Sequence, residues 1–363
     1  MDFFSTEYII LFSALTAFII TYAAIPSIVR VAKLKSLTDK PNERKMHSSE
    51  VPTLGGIAIF AGVMISALMF TDVSNFPQLA YIAVGAILLF FIGIKDDILV
   101  IAPTTKLFGQ ILTGIILAVF TDIRLTDLHG FFNIHHIPEY VSIALSVFVI
   151  VVIVNSLNLV DGIDGLASGI GIVAGSSYGI WFYQTGHIPE AIISVSLVGA
   201  LLAFLRFNLF SKKEKIFMGD TGSLILGYFL AVLTIRFNEY NIDHDFKYAI
   251  WGAPAVSVAI LVIPLFDTIR VMFIRVIIRQ PIFLPDKRHI HHLFMRAGLS
   301  QTQTLIVILF INIVYAFVLF TFHNIVGIRT WFLILILSSM VIFYIPVAIL
   351  RIKRYKKKKK NDG

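Results

Sequence analysis

The chain has 363 residues, of which 57% are hydrophobic and only 14% are charged. Its mean hydropathy of +0.86 excludes an ordinary water-soluble domain, because such a domain would expose a large apolar surface, and indicates a polytopic membrane protein. The net charge is +8 and there is no cysteine, so disulfides and thiolate metal sites are excluded and any metal would be held by oxygen or imidazole.

Apolar windows of roughly twenty residues, the length that a helix needs to cross the hydrocarbon core, recur about eleven times. The first window is too long for a cleaved signal peptide and no basic stretch precedes it, so we expect it to be the first span. We predict an all-α polytopic membrane protein, with one transmembrane domain at 1–350 and a basic cytoplasmic tail at 351–363. The predicted spans are 8–29, 54–71, 78–94, 104–121, 140–157, 166–184, 189–205, 221–237, 248–269, 303–322 and 328–350.

The positions of Lys and Arg predict the orientation, since these residues are concentrated in cytoplasmic loops. Segments 30–53, 95–106, 206–220, 270–302 and 351–363 contain 26 of the 30 basic residues. We therefore predict an N-terminus outside and a C-terminus in the cytoplasm. The basic run at 351–360 directly follows a predicted span, which favours contact with anionic membrane lipids over nucleic acid.

The first predicted cytoplasmic loop contains Lys45 and His47, between a Pro-Asn pair and a Gly-Gly pair. These two side chains are placed to meet phosphate, and an ordinary positive-inside anchor is the alternative.

Two adjacent carboxylates, Asp96 and Asp97, follow the third predicted span. At a helix C-terminus they face the negative end of the helix dipole, which should cost free energy. We therefore expect a divalent cation, or a cationic partner such as Lys106, to hold them. Two solvated acids just outside the membrane are the alternative.

Span five ends in a polar stretch that contains Asn155, Asn158, Asp161 and Asp164. The three-residue spacing places the last three on one face of a helix, whereas the glycine after each aspartate favours a bend. In either case carboxylate and amide oxygens, the hard ligands that Mg²⁺ prefers, can converge with room left for substrate phosphates. The alternative is a polar turn between two hydrophobic helices.

Span eight opens with the sequence FMGDTGS at 217–223. Free amide N–H groups among small residues at a helix start can bind phosphate, and Asp220 can ligate a metal bound to that phosphate. The alternative is that Asp220 or Thr221 is merely the N-cap.

The longest cytoplasmic connection follows span nine, which it can continue as a basic amphipathic helix. It ends with Arg288, His289, His291 and His292. Three histidines in four residues are compatible with zinc, but hydrogen bonds donated to a diphosphate are favoured because the only other histidine expected on that side is His47. A solvated basic loop is the alternative.

With these motifs in this order, the chain resembles the polyprenyl-phosphate N-acetylhexosamine-1-phosphate transferase family. The resemblance extends from residue 39 to residue 292, and is greatest to the bacterial branch that uses UDP-N-acetylglucosamine and undecaprenyl phosphate. The motifs that carry it are the Asp-Asp pair at 96–97, Asn-x-x-Asn-x-x-Asp-Gly-x-Asp-Gly at 155–165, Met-Gly-Asp-x-Gly-Ser at 218–223 and His-Ile-His-His at 289–292.

The resemblance implies a bacterial inner-membrane enzyme with its active site on the cytoplasmic side. It would transfer N-acetylglucosamine-1-phosphate, or a related sugar phosphate, from a UDP-N-acetylhexosamine to undecaprenyl phosphate, release UMP and so initiate a surface polysaccharide. Mg²⁺ is the implied cofactor, with Mn²⁺ as the alternative ion, and a homodimer is left open.

The resemblance also implies a role for each motif residue. Asp96 and Asp97 would be catalytic, as general base or in binding the lipid phosphate, and Asn158 and Asp220 would be metal ligands. The substrate-binding residues would be Lys106, Asn155, Asp161, Asp164, Arg288, His289, His291, His292, Lys45 and His47.

Two other functions are considered. Leu293 stands where the phospho-N-acetylmuramoyl-pentapeptide transferase branch would have a third consecutive histidine, which argues against that donor. A polytopic lipid or solute transporter would carry ionisable groups near the middle of its spans, and the predicted spans contain almost none.

Overall fold

The computed structural model describes residues 5–39, 51–280 and 288–361. These parts contain 13 α-helices, and their only strands are β1 (Thr38–Asp39) and β2 (Val51–Pro52), an antiparallel pair with Thr38 opposite Pro52. The all-helical fold predicted from the sequence is therefore confirmed. The helices are α1 Thr6–Leu34, α2 Gly55–Phe70, α3 Gln78–Leu99, α4 Pro103–Phe120, α5 Glu139–Val160, α6 Leu166–Gln184, α7 Ile188–Phe210, α8 Gly219–Tyr240, α9 Ala253–Ile260, α10 Val262–Ile277, α11 Ile290–Ala297, α12 Gln301–Phe322 and α13 Ile328–Asn361.

Each predicted span overlaps a helix or a helix pair. Among the described residues, seven helices are long and apolar enough to cross a membrane, and the bent pair α9 and α10 makes an eighth if it is one span. The protein is thus a multi-pass membrane protein by this measure. The number of eleven spans and the orientation stay predictions. The seven helices are α1, α4, α5, α7, α8, α12 and α13.

The predicted span at 248–269 is not one continuous helix. α9 and α10 meet at an angle of 80°, with Leu261 between them. The cause is Pro264, which has no N–H to donate to the carbonyl of Ile260 one turn earlier. That carbonyl instead accepts a hydrogen bond from Nδ2 of the buried Asn312 on α12, at 3.0 Å. Beyond the bend, α10 continues to Ile277 and carries Arg270 and Arg275, as the amphipathic continuation predicted.

Helix α8 lies at the centre of the bundle, and 89% of its apolar window is buried. Its first turn touches two neighbouring helices through backbone atoms. A Cβ on Gly56 of α2 would lie 2.1 Å from the backbone nitrogen of Gly222, and one on Gly93 of α3 would lie 2.4 Å from Cα of Thr221. Small residues allow this close approach, which brings the ends of α2, α3 and α8 together.

Helix α13 crosses the predicted boundary between the transmembrane domain and the basic tail without a break. It has 34 residues and is therefore about 51 Å long, whereas the hydrocarbon core of a bilayer is about 30 Å thick. The basic C-terminal part is thus a helical extension beyond the last predicted span.

Candidate active site

The start of α8 is held by a carboxylate from the end of α3. Asp97 accepts hydrogen bonds from the backbone N–H of Asp220 at 2.7 Å, from that of Thr221 at 3.1 Å and from the Thr221 hydroxyl at 2.6 Å. The helix begins at Gly219, and its N-cap residue Met218 makes no side-chain capping hydrogen bond. The N-cap alternative for Asp220 and Thr221 is therefore wrong, because Asp97 accepts from the first free N–H groups instead.

Lys106, in the first turn of α4, bridges two of the acids. Its ammonium forms an ion pair with Asp96 and lies 3.0 Å from Oδ1 of Asp220. Asp96 also accepts the backbone N–H of Ile101 at 2.8 Å, and its side chain is only 5% exposed. The pair at 96–97 is thus not two solvated acids, and the cationic partner expected from the sequence is Lys106.

The polar end of α5 contacts Asp220, the acid that also lies beside Lys106. Asn158 donates to Oδ1 of Asp220 at 2.5 Å and to the Ser223 hydroxyl at 2.8 Å. Asn155, about one turn earlier, donates instead to the side-chain oxygen of Gln110 at 2.5 Å. The described partner of the Asn155 side chain on α4 is thus Gln110, which the motifs did not indicate, and not one of the acids.

After Val160 the chain bends, so the three polar residues do not share a helix face. α5 ends at Val160, and Gly165 has a φ of +80°. Asp164 forms an ion pair with Lys215 at 2.7 Å. The bend favoured by the glycines is thus the observed structure.

The electrostatics of this turn reflect an excess of acids. Burial raises the pKa of Asp161 to about 7, and the negative charges of Asp220, Asp164 and Asp97 act in the same direction. Lys106 is the basic residue that lies among Asp96, Asp97, Asp161 and Asp220 in the described structure. Acidic side chains therefore outnumber basic ones in this part of the described structure.

The histidine motif is anchored by an acid from α10. Nδ1 of His289 lies 2.8 Å from Oδ2 of Asp267, and the backbone N–H of Ile290 donates to the same carboxylate at 3.0 Å. His289 is 4% exposed and Asp267 is fully buried, so a solvated loop is wrong for His289. This role of Asp267 was not predicted, although an acid among apolar residues within the predicted span 248–269 was a usable signal.

His291 brings the histidine motif against the turn after α5. It is 1% exposed, and a Cβ on Gly162 would lie 2.3 Å from its Nε2. Among the described residues neither ring nitrogen has a hydrogen-bond partner. Burial, followed by the neighbouring His292, lowers the pKa of His291 to about 3, so the ring is neutral and has one N–H to donate.

The remaining predicted residues lie at the edge of a described segment or outside the described residues. Arg288 donates to the side-chain oxygen of Gln280 at 3.1 Å, and Lys45 and His47 are outside the described residues. Within the described ranges, no three His, Asp or Glu side chains are grouped so that they could hold a metal. The described histidines therefore belong to no group of three such ligands that could hold zinc. The predicted residues that the fold brings to one end of the bundle are Asp96, Asp97, Lys106, Asn158, Asp161, Asp164, Asp220, His289, His291 and His292.

Comparison with known proteins agrees with this geometry. The sequence profile of glycosyl transferase family 4 matches residues 79–238, which include the acids of α3, the end of α5 and the start of α8. The chain is 32% identical over 309 residues to the probable undecaprenyl-phosphate N-acetylglucosaminyl 1-phosphate transferase of Bacillus subtilis, covering 84% of this chain and 81% of that protein.

Two further relatives are named undecaprenyl-phosphate alpha-N-acetylglucosaminyl 1-phosphate transferase. The one from Yersinia pestis is 32% identical over 84% of this chain and 80% of its own length. The one from Escherichia coli K12 is 31% identical over 77% of this chain and 74% of its own length. Because matches of this extent confirm the resemblance of the motifs, the chain belongs to glycosyl transferase family 4, together with these polyprenyl-phosphate sugar-1-phosphate transferases.

Proposed function

We propose that the protein transfers N-acetylglucosamine-1-phosphate from UDP-N-acetylglucosamine to undecaprenyl phosphate. An oxygen of the lipid phosphate attacks the phosphorus that carries the sugar, the bond from that phosphorus to the bridging oxygen breaks, and UMP leaves. The observation that carries the proposal is the meeting of Asp97, Lys106, Asn158 and Asp220, from four different helices, at one end of the bundle. The names of the relatives support the substrates.

In this proposal Lys106 supplies fixed positive charge to the phosphates. Transfer at a diphosphate depends on charge stabilisation and in-line positioning more than on proton abstraction. The acceptor phosphate is already ionised at neutral pH, so a strong base is not needed. Asp97 then acts as a positioning residue, because its two oxygens hold the N–H groups of Asp220 and Thr221.

The residues fit a hard divalent cation, and we propose Mg²⁺, with Mn²⁺ as the alternative. Asp220 offers a carboxylate, and the amide of Asn158 lies against it. A half-turn of that amide would present its oxygen. Two such ligands leave positions for substrate phosphates and water, as is usual for Mg²⁺. When bound, the ion would neutralise charge on the donor diphosphate. Burial is the main cause of the raised pKa of Asp161, and the negative charge of Asp220 is the next; that charge supports the assignment, because a cation at Asp220 would offset it.

We assign the donor pocket to the turn at 161–165 and to the histidine motif that packs on it. The neutral His291 can give one hydrogen bond to a donor oxygen, and Asp161 and Asp164 form the wall beside it. Arg288, Lys45 and His47 are proposed to meet the donor phosphates. The distribution of Lys and Arg supports a cytoplasmic location for this end of the bundle in a bacterial inner membrane.

The test is a reaction with purified components. Protein in detergent is supplied with UDP-N-acetylglucosamine, undecaprenyl phosphate and Mg²⁺, and UMP release is measured together with the lipid-linked product. We expect UMP only when the lipid phosphate is present. Asp220→Asn should abolish release, whereas Asp243→Asn, at an exposed position beyond the other end of α8, should leave it unchanged. Absence of UMP with every UDP-N-acetylhexosamine would overturn the proposal and favour a transporter.

A further inference from the structure

A cavity lies away from the acids and histidines described above. It occupies about 470 Å³ between α6 and α12 and is bounded at one end by residues 247–250. The side chains that define its course are Val173, Ile180 and Gln184 on α6 and Ile313, Phe317 and Phe320 on α12.

This groove runs along the helices towards the end opposite the candidate active site. From Val173 to Gln184 the rise of α6 is about 16 Å, roughly half the thickness of the hydrocarbon core. α6 begins at Leu166, beside the turn at 161–165, so Gln184 marks the far end. The groove therefore extends from near the middle of the bundle to the opposite membrane surface.

The walls of the groove face the lipid over most of its length. Ile180, Ile313 and Phe317 are 60%, 49% and 65% exposed, which in a membrane means exposed to acyl chains. A groove that is open to the lipid along a length of about 16 Å can hold one extended acyl chain.

Apart from the Ser177 hydroxyl, which donates to the carbonyl of Val173 at 2.8 Å, the polar side chains that line the groove lie towards its surface end. The ammonium of Lys247 lies 5.0 Å from the centre of the Tyr248 ring, and no described carboxylate lies within salt-bridge distance of it. The indole N–H of Trp181 is already donated to the carbonyl of Tyr248 at 2.9 Å. No Asp or Glu lines the groove. The occupant must therefore be apolar along its length and negatively charged at one end.

We propose that this groove binds an anionic phospholipid of the leaflet opposite the candidate active site. One acyl chain lies between α6 and α12, and the phosphate contacts Lys247. The choice of a phospholipid rests on the apolar length of about 16 Å, on Lys247 as the one Lys or Arg in the described lining and on the absence of Asp and Glu from that lining. The proposal does not depend on the transferase reaction.

Trp181 lines the groove and serves as its reporter. The variant Trp251→Phe/Trp331→Phe retains Trp181 as the single tryptophan. It is reconstituted into phosphatidylcholine vesicles that contain either brominated phosphatidylglycerol or brominated phosphatidylcholine at equal mole fraction, and bromine quenching of the indole is measured. We expect about a fivefold preference for phosphatidylglycerol, the effect of one lysine near a membrane surface.

Lys247→Gln in this background should remove the preference. Arg329→Gln, which changes an exposed cation at the same end of the bundle, should retain it. Equal quenching by the two lipids in the parent variant overturns the proposal. An equal loss of the preference for phosphatidylglycerol in Lys247→Gln and Arg329→Gln also overturns it. Displacement of phosphatidylglycerol by undecaprenyl phosphate at equal mole fraction, or quenching that depends on protein density and not on head group, also overturns it.

Discussion

At the scale of single residues, the role of Asp97 follows from the hydrogen bonds that its carboxylate accepts. Its two oxygens take three hydrogen bonds from Asp220 and Thr221. Removing an acceptor from a buried donor costs about 1–3 kcal/mol. The carboxylate therefore fixes the backbone from which Asp220 projects.

For Asp97→Asn we expect turnover to fall while UDP-N-acetylglucosamine still binds. The new amide has one oxygen and an NH₂ group, and the NH₂ cannot accept the N–H groups at the start of α8. Isothermal titration should give a nearly unchanged dissociation constant, and steady-state UMP release should give a lower kcat. Asp72→Asn, at an exposed position at the end of α2, is the control. Parallel loss of donor affinity and turnover would contradict this assignment.

The two proposed metal ligands should differ in how they respond to Mg²⁺. Asp220→Ala removes the only carboxylate assigned to the ion, so turnover should be lost at every Mg²⁺ concentration. Asn158→Ala removes a neutral ligand, so turnover should return at higher Mg²⁺. A Mg²⁺ titration of UMP release after chelation of divalent ions distinguishes the two. Similar titration curves for both variants would show that the roles are misassigned.

At the scale of secondary-structure elements, the first turn of α8 depends on a glycine. Gly219 has a φ of +72°, and a Cβ there would lie 1.9 Å from the carbonyl oxygen of Thr53 and 2.7 Å from Oδ1 of Asp97. A left-handed conformation costs a non-glycine residue about 1–2 kcal/mol, and the contact with a backbone oxygen adds to that cost. The glycine thus allows α2, α3 and α8 to meet at the site.

Gly219→Ala should therefore lower the thermal stability of the protein more than Gly186→Ala. Gly186 also has a left-handed backbone, with a φ of +79°, but nothing lies within 4 Å of the Cβ it would gain. The pair separates backbone strain, which both variants share, from the steric contact, which only Gly219→Ala has. Thermal unfolding in detergent measures the difference. Equal midpoints for the two variants would exclude the contact as a cause.

At the scale of the whole molecule, the sequence predicted the helices and the convergence of the motifs better than the contacts between them. Apolar windows identify helices because burial in lipid requires about twenty apolar residues whatever the neighbours are. The bend at Leu261 was missed because Pro264 permits it, whereas Asn312, far along the chain, supplies the hydrogen bond that stabilises it. The contact between Asp267 and His289 was missed for the same reason, since it depends on how distant segments pack.

The orientation of the molecule is the prediction that tests the whole assignment. Of the 30 basic residues, 26 fall in segments predicted to face the cytoplasm, and the candidate active site lies at that end of the bundle. The chain has no cysteine, so a single introduced thiol reports its own side of the membrane. Lys212→Cys and Asp243→Cys place thiols at exposed positions before the start and beyond the end of α8. In intact cells a membrane-impermeant maleimide should label Asp243→Cys directly, and Lys212→Cys only after permeabilisation, with the unsubstituted chain as the unlabelled control. The reverse pattern would place the acids and histidines outside, where no cytoplasmic nucleotide sugar reaches them.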